Sequence, residues 1–207
     1  MLENKIVLIG YSGHGYVVAD VAIENNLNLV GYAEKSVLQQ NPFNLNYIGN
    51  ENENDFFKKN KYAKFLIGIG DNHIRESIFQ FILANDFEIM TLISQSASIS
   101  KYATIGRGTF VNRNVSINAL ASIGNNVILN TACVIEHDCK ISNNVHIAPG
   151  AVLAGNVIVG ERSFIGANSV IKQGVRVGKD VIIGAGSVVL SDIPDGKKIV
   201  GNPSRYI

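Results

Sequence analysis

Residues 123–159 read IGNNVILNTACVIEHDCKISNNVHIAPGAVLAGNVIV, and through them an aliphatic residue returns at every sixth position. Ile123, Leu129, Ile135, Ile141, Ile147, Leu153 and Val159 form that series. Outward from this stretch the series continues without a slip, back to Ile93, Ile99, Ile105, Val111 and Ile117 and on to Ile165, Ile171, Val177, Ile183 and Val189. Four positions after each stands a small or β-branched residue, from Ala97, Ala103 and Thr109 through Cys133, Cys139 and Val145 to Val181 and Ser187. Neither the helical period of 3.6 nor the strand period of 2 accounts for such a column. A fixed repeat of this kind denotes a solenoid, and a hexapeptide repeat is the mark of a β-helix. Within a scaffold so poor in ionisable groups, Glu136, His137 and Asp138 stand side by side.

Before Ile93 the pattern differs. KIVLIG reads as a buried strand, HGYVVADVAIEN as a helix, LNLVGYAE and KFLIGIG as further strands, and HIRESIFQFILAND as an amphipathic helix. KSVLQQNPFNLNYIGN reads as a loop with a short strand. Strand–helix–strand order predicts right-handed crossovers and a parallel sheet. The chain therefore divides into an α/β domain over 1–90, Rossmann-like in its βαβ order, and a β-helix with a C-terminal tail over 91–207.

The chain has 207 residues and a formal net charge of +1 with both signs scattered, which leaves no electrostatic footprint for nucleic acid or an anionic membrane. Its two cysteines, Cys133 and Cys139, both occupy the small inward slot of the repeat and read as packed thiols rather than a disulfide or redox pair. The apolar run in MLENKIVLIG is too short for a signal peptide or a membrane span, so a cytoplasmic protein is expected.

GYSGHG, Gly10 to Gly15, follows the first strand and opens the first helix, where helix N–H groups and the dipole favour an anion. The order of its glycines differs from the dinucleotide fingerprint G-x-G-x-x-G, and a tight strand-to-helix turn would read the same way. Glu34 ends the second strand, at the place of a ribose-binding acid.

The β-helical half resembles the bacterial hexapeptide-repeat acyltransferases. With GYSGHGYVVAD, IGIGDNHIR, NTACVIEHDCKI, AGNVIVG and DIPDGKKIVGNPSR, the whole chain resembles the PglD-like group of sugar acyltransferases, which holds nucleotide-sugar N-acetyltransferases and sialic acid O-acetyltransferases. The resemblance implies a left-handed parallel β-helix with three hexapeptides per triangular coil, a homotrimer with active sites between neighbouring prisms, and acetyl-CoA as co-substrate. It implies a nucleotide-linked amino sugar held by Gly13, His14 and Gly15, by Glu34 and Lys35, and by Gly70. Some members carry two adjacent acids after the second strand, whereas here the pair is Glu34-Lys35.

Acetyl transfer to an amine or a hydroxyl needs a base for the nucleophile's proton, and an imidazole titrates in the right range. His137 is the candidate, with a neighbouring carboxylate to hold the ring. The resemblance favours Asp138 as that acid, and Glu136 stays as the alternative. It also implies that His146 contacts acetyl-CoA, with a backbone lane at Gly155, Ala167 and Ala185 along which pantetheine lies. No metal is expected, since the β-helix offers only His137 and His146 where a carbonic anhydrase on this scaffold needs three histidines per ion. The expectation is N-acetylation of the 4-amino group of a nucleoside-diphosphate-linked 4-amino-4,6-dideoxy sugar for bacterial surface glycans. The alternatives are a sialic acid O-acetyltransferase and a non-catalytic nucleotide-binding module.

Overall fold

The structure is a computed structural model and describes residues 5–53 and 55–207; Met1–Asn4, the start of the N-terminal apolar stretch, and Asn54 lie outside the described residues. The chain forms two compact units, Met1–Leu92 and Ile93–Ile207.

The first unit runs β1 (Ile6–Ile9), α1 (His14–Glu24), β2 (Leu29–Ala33), β3 (Asn46–Gly49), α2 (Phe56–Lys59), β4 (Lys64–Ile67), α3 (Asn72–Ala84) and β5 (Glu88–Ile89). Its strands lie in the order β3-β2-β1-β4-β5, every neighbouring pair parallel. The order reverses between β1 and β4, which is where an open α/β sheet forms a crevice outside the carboxyl ends of its strands. Val7, Ile9, Phe65, Ile67, Phe79 and Ile82 fill the core, so the apolar runs of β1 and β4 are explained by burial on both faces. The single turn α2 and the two-residue β5 carry too few residues to show a period.

Close backbone approach needs two glycines here. A β-carbon on Gly15 would lie 2.2 Å from the Gly10 carbonyl oxygen, and one on Gly68 2.5 Å from the same atom. Gly15 and Gly68 thus let α1 and β4 close on the end of β1. Asp71 caps α3, its carboxylate accepting from the N–H groups of His73 (3.0 Å) and Ile74 (2.9 Å), a contact worth about 1 kcal/mol.

The second unit is a left-handed parallel β-helix. Seventeen two-residue strands follow one another from Leu92–Ile93 to Val188–Val189, and in each the second residue is the aliphatic one of the six-residue column. They stack into three sheets with an unbroken 18-residue register, such as Ser98, Ser116, Val134, Val152, Val170 and Val188 along one face. The three are called here the Ile93, Ile99 and Ile105 faces, after their first inward residue. The column residues and the small residues four positions on make one continuous core from Val111 to Ile199. Cys133 and Cys139 are fully enclosed in it. Burial pushes the Cys133 thiol up to about 12 and the Cys139 thiol upward too, so both stay protonated at neutral pH.

One device was not read from the sequence. Three positions after each column residue from Ile105 to Ile183 the backbone turns left-handed, at Gly108, Asn114, Leu120, Asn126, Ala132, Asp138, Asn144, Gly150, Asn156, Arg162, Asn168, Gly174, Asp180 and Gly186. Asn, Asp and Gly tolerate that region, which explains their abundance in the repeat. The tail closes the last coil. Lys198–Val200 adds parallel to Ile182–Ile183, and Arg205–Tyr206 turns back antiparallel on it, covering an edge that would otherwise be open. Among the described residues no helix is long and apolar enough to cross a membrane.

Candidate active site

His137 and Asp138 occupy the corner that follows strand Val134–Ile135 on the Ile99 face. In an extended strand adjacent side chains would point apart. The positive φ of Asp138, 60°, breaks that alternation and folds its carboxylate onto the ring. His137 Nδ1 and Asp138 Oδ2 are 2.9 Å apart. A carboxylate only accepts, so Nδ1 carries the proton and the Nε2 lone pair is left for chemistry. The side chains are 54% and 51% exposed, which leaves Nε2 open to a reactant. The acid bonded to the imidazole is Asp138; Glu136, half-buried on the preceding strand end, adds negative charge beside Cys139.

Gly155 sits one coil, 18 residues, beyond His137, and Asn156 N–H donates to the His137 carbonyl at 2.8 Å. A β-carbon at Gly155 would lie 2.5 Å from both Cε1 and Nε2 of the ring. The absence of a side chain at Gly155 therefore leaves the space that the Cε1–Nε2 edge of the imidazole takes up.

His146 lies on another side, outward on the Ile93 face, 9% exposed, with its ring edge-on to Phe164 at 5.0 Å. Its Nε2 is 3.4 Å from Asn130 Nδ2. Asn130 Oδ1 already accepts from Asn112 Nδ2 (3.0 Å) and Thr131 N–H (2.8 Å), which turns the amide NH2 toward the imidazole. Asn130 was not singled out from the sequence, although it begins NTACVIEHDCKI. Ala167 and Ala185 stack at the corner after the Ile93 face. The four residues expected along one acetyl-CoA lane thus fall into two groups, because 18 residues return to the same corner and 12 do not. Gly155 belongs with His137, while Ala167 and Ala185 belong with His146.

In the first unit, all six expected substrate residues follow the carboxyl ends of β1, β2 and β4. Gly13 caps α1 with φ +35° and no acidic residue follows in the first turn, so the helix terminus stays suited to an anion. Gly15 faces inward and serves the close packing described above. A β-carbon on Gly70 would be 3.8 Å from that of His14, which makes the two neighbours. Behind them Arg75, 1% exposed, donates from Nη1 to the Gly70 carbonyl (3.0 Å) and from Nη2 to Asn72 Oδ1 (2.8 Å). Burial first, and the Arg75 charge second, hold the His14 imidazole down at about 4, so it is neutral at pH 7. Burial also lowers Arg75, to about 10, still a cation. Glu34 Oε1 accepts from Tyr11 N–H at 3.1 Å and Oε2 from Lys35 N–H at 3.2 Å. Lys35 itself is exposed. Nothing local in IGIGDNHIR marks Arg75 for burial, so its part is visible only in the fold. Among the described residues no three His, Cys, Asp or Glu side chains come close enough to hold a metal ion.

Residues 5–82 match the family described as PglD N-terminal domain, residues 120–155 that described as bacterial transferase hexapeptide (six repeats), and residues 156–191 that described as hexapeptide repeat of succinyl-transferase. The acetyltransferase domain of PglB from Neisseria gonorrhoeae FA1090 is 33% identical, with a TM-score of 0.91 over 99% of this chain and 100% of that one. The same domain in complex with acetyl coenzyme A gives 32% identity and a TM-score of 0.92 over 99% and 100%. PerB from Caulobacter crescentus, solved in complex with CoA and GDP-perosamine, is 30% identical, with a TM-score of 0.91 over 98% and 97%. With both halves matched in order and the likeness spanning nearly the full length, the chain belongs to the PglD-like family of hexapeptide-repeat sugar acetyltransferases.

Proposed function

We propose that this protein is an acetyl-CoA-dependent N-acetyltransferase that acylates the 4-amino group of a nucleoside-diphosphate-linked 4-amino-4,6-dideoxy sugar for bacterial surface glycan synthesis. The observation that carries the reading is the His137–Asp138 pair, held through Nδ1 with its Nε2 edge in the space left by Gly155. The relatives' complexes with acetyl coenzyme A and with CoA and GDP-perosamine supply the chemistry of the two substrates.

The sugar amine attacks the thioester carbonyl as the free base. A C–N bond forms while His137 Nε2 takes the amine proton, and Asp138 stabilises the imidazolium that results. The carbonyl becomes a tetrahedral oxyanion, and in this reading a backbone N–H near Gly155 steadies it. Its collapse breaks the C–S bond, and His137 returns the proton to the departing CoA thiolate. The products are an amide and a thiol. In the first unit the α1 terminus takes the diphosphate, Glu34 the ribose hydroxyls, and neutral His14 and Gly70 line the floor.

The active assembly in this reading is a homotrimer. His137 with Gly155, and His146 with Ala167 and Ala185, lie on different sides of one prism, so a complete site takes the His137 corner of one subunit and the His146 face of the next. The side chains outward on the Ile99 face include Val134, Val152, Val170 and Val188, an apolar row suited to burial between prisms. Nucleotide sugars and acetyl-CoA place the reaction in the cytoplasm.

Thiol release from acetyl-CoA tests the reaction, with UDP-, dTDP- and GDP-linked 4-amino-4,6-dideoxy sugars offered separately, and free and CMP-linked sialic acid as controls. Turnover with one amino sugar is expected. Turnover with a sialic acid alone would make the protein an O-acetyltransferase, and silence with every acceptor would leave a binding module.

A further inference from the structure

Beneath the segment that follows β2 lies a layer of tyrosines that the reaction does not use. Tyr11, 0% exposed, stacks on Tyr32 (centroids 4.4 Å apart, 28° between planes) and meets Tyr16 edge-on at 5.0 Å. Their hydroxyls all reach the same stretch of chain. Tyr11 Oη donates to Asn41 Oδ1 (2.9 Å) and accepts from Phe43 N–H (3.2 Å). Tyr32 Oη accepts from Leu38 N–H (3.1 Å), and Tyr16 Oη donates to the Gln40 carbonyl (3.3 Å). Asn41 closes its own loop by accepting from Leu45 N–H (3.0 Å) and donating to the Leu45 carbonyl (2.8 Å). The backbone N–H of Tyr11 meanwhile holds the Glu34 carboxylate. One residue thus fixes both the acid at the end of β2 and the polar segment beyond it, at the carboxyl ends of β1 and β2.

We propose that Tyr11 is the positioning residue for nucleotide recognition, its hydroxyl setting the 38–45 segment as a rigid wall of the nucleotide site and its N–H aiming Glu34. This rests on the nucleotide-sugar reading above. Burial raises the Tyr11 pKa, so the phenol stays a donor to Asn41 at neutral pH. Because the segment is pre-formed, its backbone and amide groups meet the nucleotide without an ordering cost, and loosening it weakens binding rather than chemistry.

The test is Tyr11→Phe, which keeps the stacked ring and removes only the hydroxyl. With the amino sugar that the wild type accepts, KM for the nucleotide sugar is expected to rise about five- to thirtyfold, the range of one or two lost hydrogen bonds. KM for acetyl-CoA and kcat should stay within about twofold. Asn41→Ala is expected to reproduce the effect, and the double variant to add little to either. An unchanged nucleotide-sugar KM, or a fall in kcat with both KM values constant, would overturn the role; the latter is what a merely destabilised protein shows. If the wild type turns over no amino sugar, the acetyltransferase reading fails separately. Calorimetric titration with UDP, dTDP and GDP then decides for Tyr11: weaker binding by Tyr11→Phe supports it, and equal or absent binding by the wild type overturns it.

Discussion

Asp138 answers two demands with one side chain. Its position requires left-handed backbone, φ 60°, which Asp tolerates, and that same turn brings its carboxylate within 2.9 Å of His137 Nδ1. Asp138→Asn keeps the turn but allows the amide to donate to Nδ1, which would place the ring proton on Nε2 and abolish the base. A fall in kcat of roughly 10² or more is expected, with KM for both substrates little changed. Gly155→Ala makes the complementary point. With a β-carbon 2.5 Å from the ring the imidazole must swing out, so turnover should drop at least tenfold while thermal stability, read by calorimetry, moves little. His14 offers a pH prediction. Its folded pKa of about 4 lies below the ordinary histidine value of 6.5, so the unfolded chain binds its proton first. The stabilisation is complete above pH 6.5 and is lost as pH falls toward 4, by roughly 3 kcal/mol. Urea unfolding from pH 7 to pH 4 should show that loss, and His14→Gln should flatten it.

The elements of the second unit were legible because each is two residues long and obeys one rule: an inward aliphatic every six positions, from Ile93 to Val189. What escaped was the left-handed column. Leu120, Ala132 and Arg162 occupy it and hide the pattern that Asn, Asp and Gly otherwise spell. The strain of an alanine there, about 1 kcal/mol, makes Ala132→Asn a stabilising change, with a rise in melting temperature of roughly 4 °C expected. Arg162 offsets its strain by a two-point contact with Asp180, at 2.7 and 2.9 Å. In the α/β unit the long strands and helices were readable from their periods, whereas α2 and β5 were too short. The burial of Arg75 and the tyrosine layer were illegible for a different reason. They depend on contacts between segments far apart in the chain, Tyr11 with Phe43 and Tyr32 among them. Gly155 lay between these cases, since its meaning needs the 18-residue coil that sets it beside His137.

At the scale of the molecule, a site split between subunits has a counting consequence. His137→Ala and His146→Ala should each be nearly inactive alone. Co-expressed in equal amounts, they form mixed trimers in which one interface pairs an intact His137 with an intact His146. Random assembly restores about a quarter of wild-type activity; no recovery would place both histidines in a site within one chain. The central claim is that His137 moves the proton during acetyl transfer to a nucleotide-linked amine. The most direct measurement is turnover of acetyl-CoA and the accepted amino sugar by His137→Ala beside the wild type, with trimer mass and nucleotide binding checked on the same samples. The account predicts acetylated sugar from the wild type, and from the variant a rate lower by roughly 10² or more with assembly and binding intact. Turnover near the wild-type rate would contradict it.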